Sequence, residues 1–373
     1  MNLHDLIAQQ LASLLPPPDI STALFQPMGA LPLVQIKVDE KNLNQLRADG
    51  RKAVRAQLQL GDLVLTDIGI HLKGAAGSTR GWDDKPGLTL DTNKFVKGQK
   101  FFGLEKFHLN NGVQDGTYFQ ERLGNELAMS MGLPGCRCTH ALVELNGRKV
   151  GLYVLKEGFD KRWLRRNFPD SPEGNLYDGG FCNDINADLK LDVGTDNQRR
   201  DLKGLAGICQ FGDANLRYEA LGRLLDIDKF CTSTALQICT ADWDGYNRNR
   251  NNYRVFFPKG GKAVFITHGM DQLWQNPEEG LWPGWGGMVA QAVLGHPEGK
   301  EKTIAVLNQS IQKHFTRSKL FNGIDALYPK TLEALKASGH PEWAAGFEGN
   351  VRDLKERLTK RVGYVRNELP ALR

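Results

Sequence analysis

The sequence predicts an α+β protein of two unlike lobes, the first rich in β-strand and the second mainly helical. Three observations predict it: short apolar runs with period two crowd residues 31–157, helical spacing dominates from about residue 214 onward, and KEGFDKRWL (156–164) lies between them as a hinge. A chain of 373 residues with 40% hydrophobic content is long enough for two lobes sharing a cleft. The expected divisions are an N-terminal helical appendage (1–30), a β-rich lobe (31–157), and a mainly helical lobe with a C-terminal helical extension (158–373).

Composition narrows the function classes. A net charge of +5 from 48 basic and 43 acidic residues is mild and does not by itself argue for nucleic acid, so no nucleic-acid partner is expected. Lys161, Arg162, Arg165 and Arg166 read as a solvated helix face. The six cysteines are sparse and form no pair of CxxC motifs, so most of them read as small buried residues; Cys136 and Cys138 share one strand face, a hint of metal or redox chemistry set against simple packing. No apolar window reaches the length of a membrane-spanning helix, and the N-terminus lacks the pattern of a secretory signal.

In chain order, Leu3, Leu6, Ile7, Leu11, Leu14 and Leu15 mark one helical face that Pro16 to Pro18 terminate. Strands follow near 33–38, 54–60, 63–65, 68–72 and 88–90, with a helix over 40–48. HLKGAAGSTR (71–80) leaves a strand into a small-residue turn that would let backbone N–H groups approach an anion, with Lys73 and Lys85 on either side. A strand through Phe107 and Leu109 precedes the clearest helix, whose Phe119, Leu123, Leu127 and Met131 form an apolar ridge ended by Gly132 and Pro134. On that helix Glu126 falls about 20° from Phe119, at roughly 100° per residue. An inward carboxylate there needs a partner such as a sheet lysine, and Glu121 is the competing candidate. Strands 139–145 and 150–155 flank an Asn-Gly-Arg turn, residues 168–213 read as irregular, and helices are expected over 214–225, 228–240, 301–315, 318–337 and 348–368. GLWPGWGG, after Trp274, reads as a loop that either walls a groove or packs.

The chemistry concentrates in Ala241–Trp274. Asp242 and Asp244 precede four asparagines, then come an aromatic strand, a Lys/Gly turn, a second strand and Asp271. Aspartate and asparagine are hard oxygen ligands, and an aspartate is also a possible base, so the set suits a magnesium-bound phosphate. The order of loop, lysine, helix acid, hinge, then Asp, Asn and Asp is the order of parts in a protein kinase, although HRD and DFG are absent. Kinase spacing, five residues after the base, reaches Asn249 as the metal-binding asparagine. Asp242 reads as a structural neighbour.

The ordered motifs KPGLTLDTNKF, FFGLEKFHLNN, YFQERLGNELAMSMGLP, VELNGRKVGLYVLKEGFDKRWL, GNLYDGG, DWDGYNRNRNNYRVFF and FITHGMDQLW, spanning about Leu33–Trp274, resemble the CotH spore-coat kinase family. The resemblance implies a two-lobed atypical protein-kinase-like fold that binds ATP and magnesium or manganese in its cleft, residues 31–157 forming the nucleotide lobe, and phosphorylates serine in a protein or peptide. Carried over by position, it makes Asp244 the catalytic base, Asn252 a magnesium ligand and Asp271 the acid bridging metal and phosphates. Lys85 becomes the phosphate lysine with Lys73 second, and Glu157 lies at the adenine-side hinge. His71 departs from the family's arginine before the loop. Two alternatives share the cleft: adenylylation or ligation chemistry, and a pseudokinase that only binds. Use of ATP favours the cytoplasm, with export the other option; the sequence leaves oligomeric state open.

Overall fold

The computed structural model describes residues 20–25, 29–338 and 340–372, so the helix expected over 3–15 lies outside the described residues. After the short helix α1 (Ser21–Phe25), seven strands close into a barrel: β1 (Leu33–Lys37), β2 (Val54–Leu60), β3 (Leu63–Lys73), β4 (Gly87–Asp91), β5 (Lys106–Asn110), β6 (Cys138–Leu145) and β7 (Arg148–Glu157). Their order is β1-β2-β3-β4-β5-β7-β6, and the parallel pairing of β1 with β6 completes the ring. Period two explains the wall: Ile68, Ile70, Leu88, Leu90, Phe107, Leu109, Tyr153 and Leu155 are buried in one apolar cluster, leaving the alternate residues to face outward. The sequence suggested two strands in 63–72; the structure has one, because a bulge at left-handed Asp67 (φ 54°) absorbs the interruption. Closure into a barrel was not expected from the sequence.

Helix α2 (Glu40–Ala48), capped by the Asp39 carboxylate, connects β1 to β2. Helix α3 (Gln120–Ser130) connects β5 to β6. After α4 (Lys161–Asn167), the stretch expected to be irregular forms β8 (Gly174–Asp178), β9 (Lys190–Val193) and α5 (Arg200–Cys209). GNLYD is the β8 strand, and it pairs with β10 (Tyr253–Pro258); with β11 (Val264–Thr267) these make a four-stranded antiparallel sheet ordered β11-β10-β8-β9. The second half is therefore α+β in its own right.

Helices α6 (Ala214–Leu224), α7 (Ile227–Thr240), α8 (Tyr246–Asn249), α9 (Met288–Leu294), α10 (Pro297–Lys313), α11 (Arg317–Asp325), α12 (Tyr328–Ala337) and α13 (Pro341–Glu368) complete the fold. The helix expected over 318–337 is two helices, broken at Ala326–Leu327. Phe119, Leu123 and Leu127 of the α3 region share a core with Leu236, Trp274, Leu354 and Leu358, so α3 is fixed against both α7 and α13. A smaller cluster of Phe159, Trp163, Phe256 and Ile266 ties the chain leaving β7 to the four-stranded sheet. No described helix is long and apolar enough to cross a membrane.

Candidate active site

The strand register lays out one wall of the site. His71, Thr89, His108 and Lys156 stand opposite one another on β3, β4, β5 and β7, all on the outer face because their neighbours fill the barrel. Thr89 Oγ1 and His108 Nδ1 are 3.0 Å apart. Lys73, two residues beyond His71, sits opposite Gly87, where a Cβ would come within 3.2 Å of its Cγ. The glycine thus lets the lysine stem cross β4, and Nζ donates to Asn110 Oδ1 at 2.5 Å. Burial, reinforced by Lys156, lowers Lys73 to about 8, with Glu121 and Asp271 opposing. His108 and His268 are held well below the ordinary histidine value, by burial first and then by Lys73, Lys156 and Arg254.

Lys156 donates to Glu121 Oε1 at 2.5 Å, with side-chain exposures of 4% and 2%. Burial, the largest single influence, acts to lower Lys156, but the Glu121 carboxylate and its hydrogen bond, together with Cys136 and Cys138, outweigh it, so the pKa is raised and the ammonium stays charged. The other oxygen of Glu121 accepts the Met270 N–H at 3.1 Å, directly before Asp271. A Cβ on Gly124 would lie 2.5 Å from Met270 Sδ, so α3 presses closely on the segment that carries Asp271. Glu121 and Gly124 face that segment, and Asn125 and Ala128 are buried on the same helix, Asn125 accepting the Cys136 N–H. Glu126 lies elsewhere: its carboxylate is partly exposed and pairs with Arg122 at 2.6 Å. Measuring angles from Phe119 picked the wrong acid, because the close-packed face is marked by small residues and not by the apolar ridge.

The opposite wall begins where α7 ends in left-handed Ala241 (φ 49°). Asp242 is buried, and its pKa is pushed up to about 7 by burial first and then by Asp244. Asp244, half-buried, accepts Nδ2 of Asn251 at 3.0 Å and of Asn252 at 2.9 Å. Burial raises Asp244, and the asparagine amides partly offset it. Asn249 is exposed on α8, and its amide donates to Trp243 O at 2.9 Å. Asn252 adopts φ 52°, a left-handed conformation that asparagine tolerates, and its carbonyl accepts the His268 N–H at 3.0 Å. A Cβ on Gly269 would lie 2.4 Å from Asn252 Oδ1, so the two ends of the β10–β11 hairpin touch. Asp271 is partly buried, and among the described residues its carboxylate has no ion-pair partner and accepts only its own backbone N–H. Burial and Glu121 raise it to about 6, with Lys73 opposing.

The structure thus gathers Asp244, Asn252, Asp271, Lys73 and Glu121, and adds two residues the sequence reading missed. Asn251 joins Asn252 on Asp244. Lys156 was signalled by a lone lysine in the apolar run of β7, whose residues from Val150 to Glu157 are all buried. Lys85 is not brought to the acids. Its ammonium donates to Tyr118 OH at 2.5 Å and lies over the Tyr118 and Tyr153 rings, with Asp84 the one charge that perturbs it. Glu157 is committed to Arg137 at 2.7 Å and Arg166 at 2.5 Å. The basic cluster on α4 is therefore not wholly solvated, since Arg162 also donates to Gly103 O. Cys136 and Cys138 are buried free thiols whose pKa values burial raises. The GLWPGWGG loop holds Trp282 against Trp285, in a T-shaped contact at 5.1 Å.

A cavity of about 1330 Å³ opens beside this cluster and is not lined by its acids. Its walls include Asp91 and Lys106 of the barrel face, Phe159, and Asp192 and Phe257 of the second sheet. Phe159 is the link: it packs on His268, lies under Arg254, and is 5.7 Å from Lys156 Nζ. Arg254 in turn pairs with Asp178 at 2.7 Å and Asp192 at 3.0 Å.

The donor set fits magnesium. Among the described residues no group of three or more His, Cys, Asp or Glu could hold a metal. Magnesium instead takes one or two carboxylates and completes its shell with phosphate oxygens and water. Asp271 offers a carboxylate with no ion-pair partner among the described residues, and Asn252, its Nδ2 committed to Asp244, offers Oδ1.

An amide-held aspartate, a hairpin, a second acid and a buried Lys–Glu pair together define a kinase-like site. The family model described as CotH kinase protein matches residues 70–365, and the chain belongs to that family. The inner spore coat protein H of Bacillus subtilis is 22% identical over 80% of this chain and 86% of its own length. Invasin CotH7 of Rhizopus delemar is 22% identical over 49% of this chain and 32% of that protein. A chain from the solved complex of the Shewanella oneidensis toxin–antitoxin proteins HipA and HipB with operator DNA covers 97% of this chain and 83% of itself, at 13% identity; its TM-score of 0.36 is too low to carry a statement about fold.

Proposed function

We propose that the chain is an ATP- and magnesium-dependent phosphotransferase that moves the γ-phosphoryl group to a serine hydroxyl of a protein or peptide. The barrel and the second half then act as the two lobes of a kinase-like cleft. The observation that carries the reading is the joining of both walls at one point: Glu121 holds Lys156 through one oxygen and the Met270 amide through the other, beside Asp271. In this reading Asp244 accepts the proton of the attacking hydroxyl, and Asn251 and Asn252 fix its orientation. Lys73 supplies a cation to the phosphates, and Asn252 and Asp271 would hold the metal. A bound magnesium ion would neutralise charge on the transferring phosphoryl group. The 1330 Å³ cavity bounded by Phe159 offers room for base and ribose.

Incubation with ATP, magnesium and dephosphorylated casein should yield phosphoserine, and Asp244→Ala and Asp271→Ala should each abolish it. Transfer that persists in both variants contradicts the proposal. Nucleotide or amide adducts would favour adenylylation or ligation. Failure of ATP with magnesium to raise the melting temperature would favour a pseudokinase.

A further inference from the structure

Lys85 does not reach the acids, yet it sits where the small-residue turn and α3 meet. Its ammonium lies 4.8 Å from the centre of the Tyr118 ring and 5.2 Å from that of Tyr153. Tyr153 belongs to the barrel core, whereas Tyr118 packs on the core that α3 shares with α13, so one lysine bridges the two. Burial lowers its pKa to about 8, with Asp84 opposing. A methionine would join these cores without a charge to desolvate. What the lysine adds is direction: a donor fixed on the Tyr118 hydroxyl at 2.5 Å.

Tyr118 is itself unusual. Its φ of 59° is left-handed, a conformation that bulky residues rarely adopt. Such a backbone persists only where its surroundings over-determine it, and it clusters at functional sites. Here four contacts fix it. The Tyr118 N–H donates to Asp115 O at 3.0 Å, and its carbonyl lies 2.9 Å from Nε2 of buried His140. The hydroxyl accepts from Lys85, and the ring lies so close over Gly112 that a Cβ there would run into it. The bend opens α3 directly: Phe119 is its N-cap and supplies no side-chain cap, Asp115 Oδ2 accepts the Gln120 N–H at 2.9 Å, and Glu121 is next.

The main chain of Lys85 is tied in the opposite direction. Buried Asn111 donates from Nδ2 to Lys85 O at 2.9 Å and to Ser78 O, in the small-residue turn, at 3.1 Å. Contacts therefore run without a break from that turn through Asn111, Lys85 and Tyr118 into α3. They end at Glu121, which holds Lys156 and the Met270 N–H.

We infer that Lys85 is a positioning residue for phosphoryl transfer: its bond to the Tyr118 hydroxyl fixes the left-handed bend that aims α3, and with it Glu121, at Lys156 and the Asp271 segment. The inference rests on the phosphotransfer reading and adds a member to that reading's site.

The test measures transfer to dephosphorylated casein at varied ATP for wild type, Lys85→Met, Tyr118→Phe and the double variant, with urea unfolding of each. Lys85→Met removes the donor, and Tyr118→Phe removes the acceptor while keeping the ring. Misplacement of Glu121 should lower kcat about tenfold or more in either single variant. KM for ATP should stay within about twofold, and the melting-temperature rise with ATP and magnesium should persist. The double variant should match the worse single within about twofold, because both changes remove the same bond. A wild-type kcat in the folded single variants, with only the urea midpoint lowered, overturns the inference and leaves the bond structural. So do losses that multiply in the double variant, or an effect confined to KM for ATP, which would return Lys85 to the phosphates. A wild-type protein that responds to ATP but transfers nothing to casein would overturn the phosphotransfer reading itself, and this role with it.

Discussion

Replacing Glu121 by glutamine preserves volume and leaves an oxygen for the Met270 N–H, but removes the carboxylate that pairs with Lys156. The Lys156 side chain is 4% exposed, so its ammonium would be stranded in a dry site. Removing one partner of such a pair costs about 3–5 kcal/mol. The figure is bounded from the other side, since lysine can shed its proton. Driving its pKa from about 10.4 to below 7 corresponds to roughly 5 kcal/mol. Urea unfolding at pH 7 should therefore show Glu121→Gln destabilised by about 3–5 kcal/mol. The double variant Glu121→Gln/Lys156→Met, with no buried charge left, should recover at least about 1 kcal/mol of that loss. A cost under about 1 kcal/mol for Glu121→Gln, or a double variant worse than the single, would refute the claim that this ion pair anchors the site.

Other outcomes follow from the same geometry. Asp271 is raised from 3.8 to about 6, so its contribution to stability is present below 3.8 and lost as pH rises through 6. Asp271→Asn, always neutral, should thus be more stable than wild type at pH 8 by about 1–2 kcal/mol, below the ceiling of about 3 because the carboxylate is partly exposed. The difference should close as thermal melts are taken toward pH 4, and a constant difference would contradict the sign. Lys73→Met should raise KM for ATP about tenfold or more, whereas Lys85→Met should leave it within about twofold, as steady-state kinetics at varied ATP would read. Asp244→Asn should lower kcat by roughly 10²–10⁴ while the thermal shift with ATP and magnesium persists. Equal loss of nucleotide response would argue against a base.

Much of the second wall was legible because its signals are local. Aromatic strands with period two on either side of a Lys-Gly-Gly turn fix the β10–β11 hairpin, and that hairpin brings Asn252 to Gly269. The first wall was not legible, because register across strands decides it. Lys73 and Lys85 are equally placed beside one turn in sequence; only the pairing of Lys73 with Gly87 sends one lysine toward Asn110, while the other is trapped under Tyr118. Barrel closure pairs Val34 with Val143, a contact that no local pattern announces. Glu121 could have been chosen over Glu126 by noticing Gly124 and Ala128 at helical spacing from it, since small residues mark close approach. The irregular reading of 168–213 failed because β9 is four residues long and mostly half-buried, too short to show period two.

The most direct measurement of the central claim is parallel incubation of the protein, magnesium and dephosphorylated casein with ATP labelled at either the γ- or the α-phosphate. Phosphoryl transfer predicts label on serine from γ-labelled ATP alone, lost in Asp244→Ala and in Asp271→Ala. Label carried from the α-phosphate, or γ-label that survives in both variants, would contradict it.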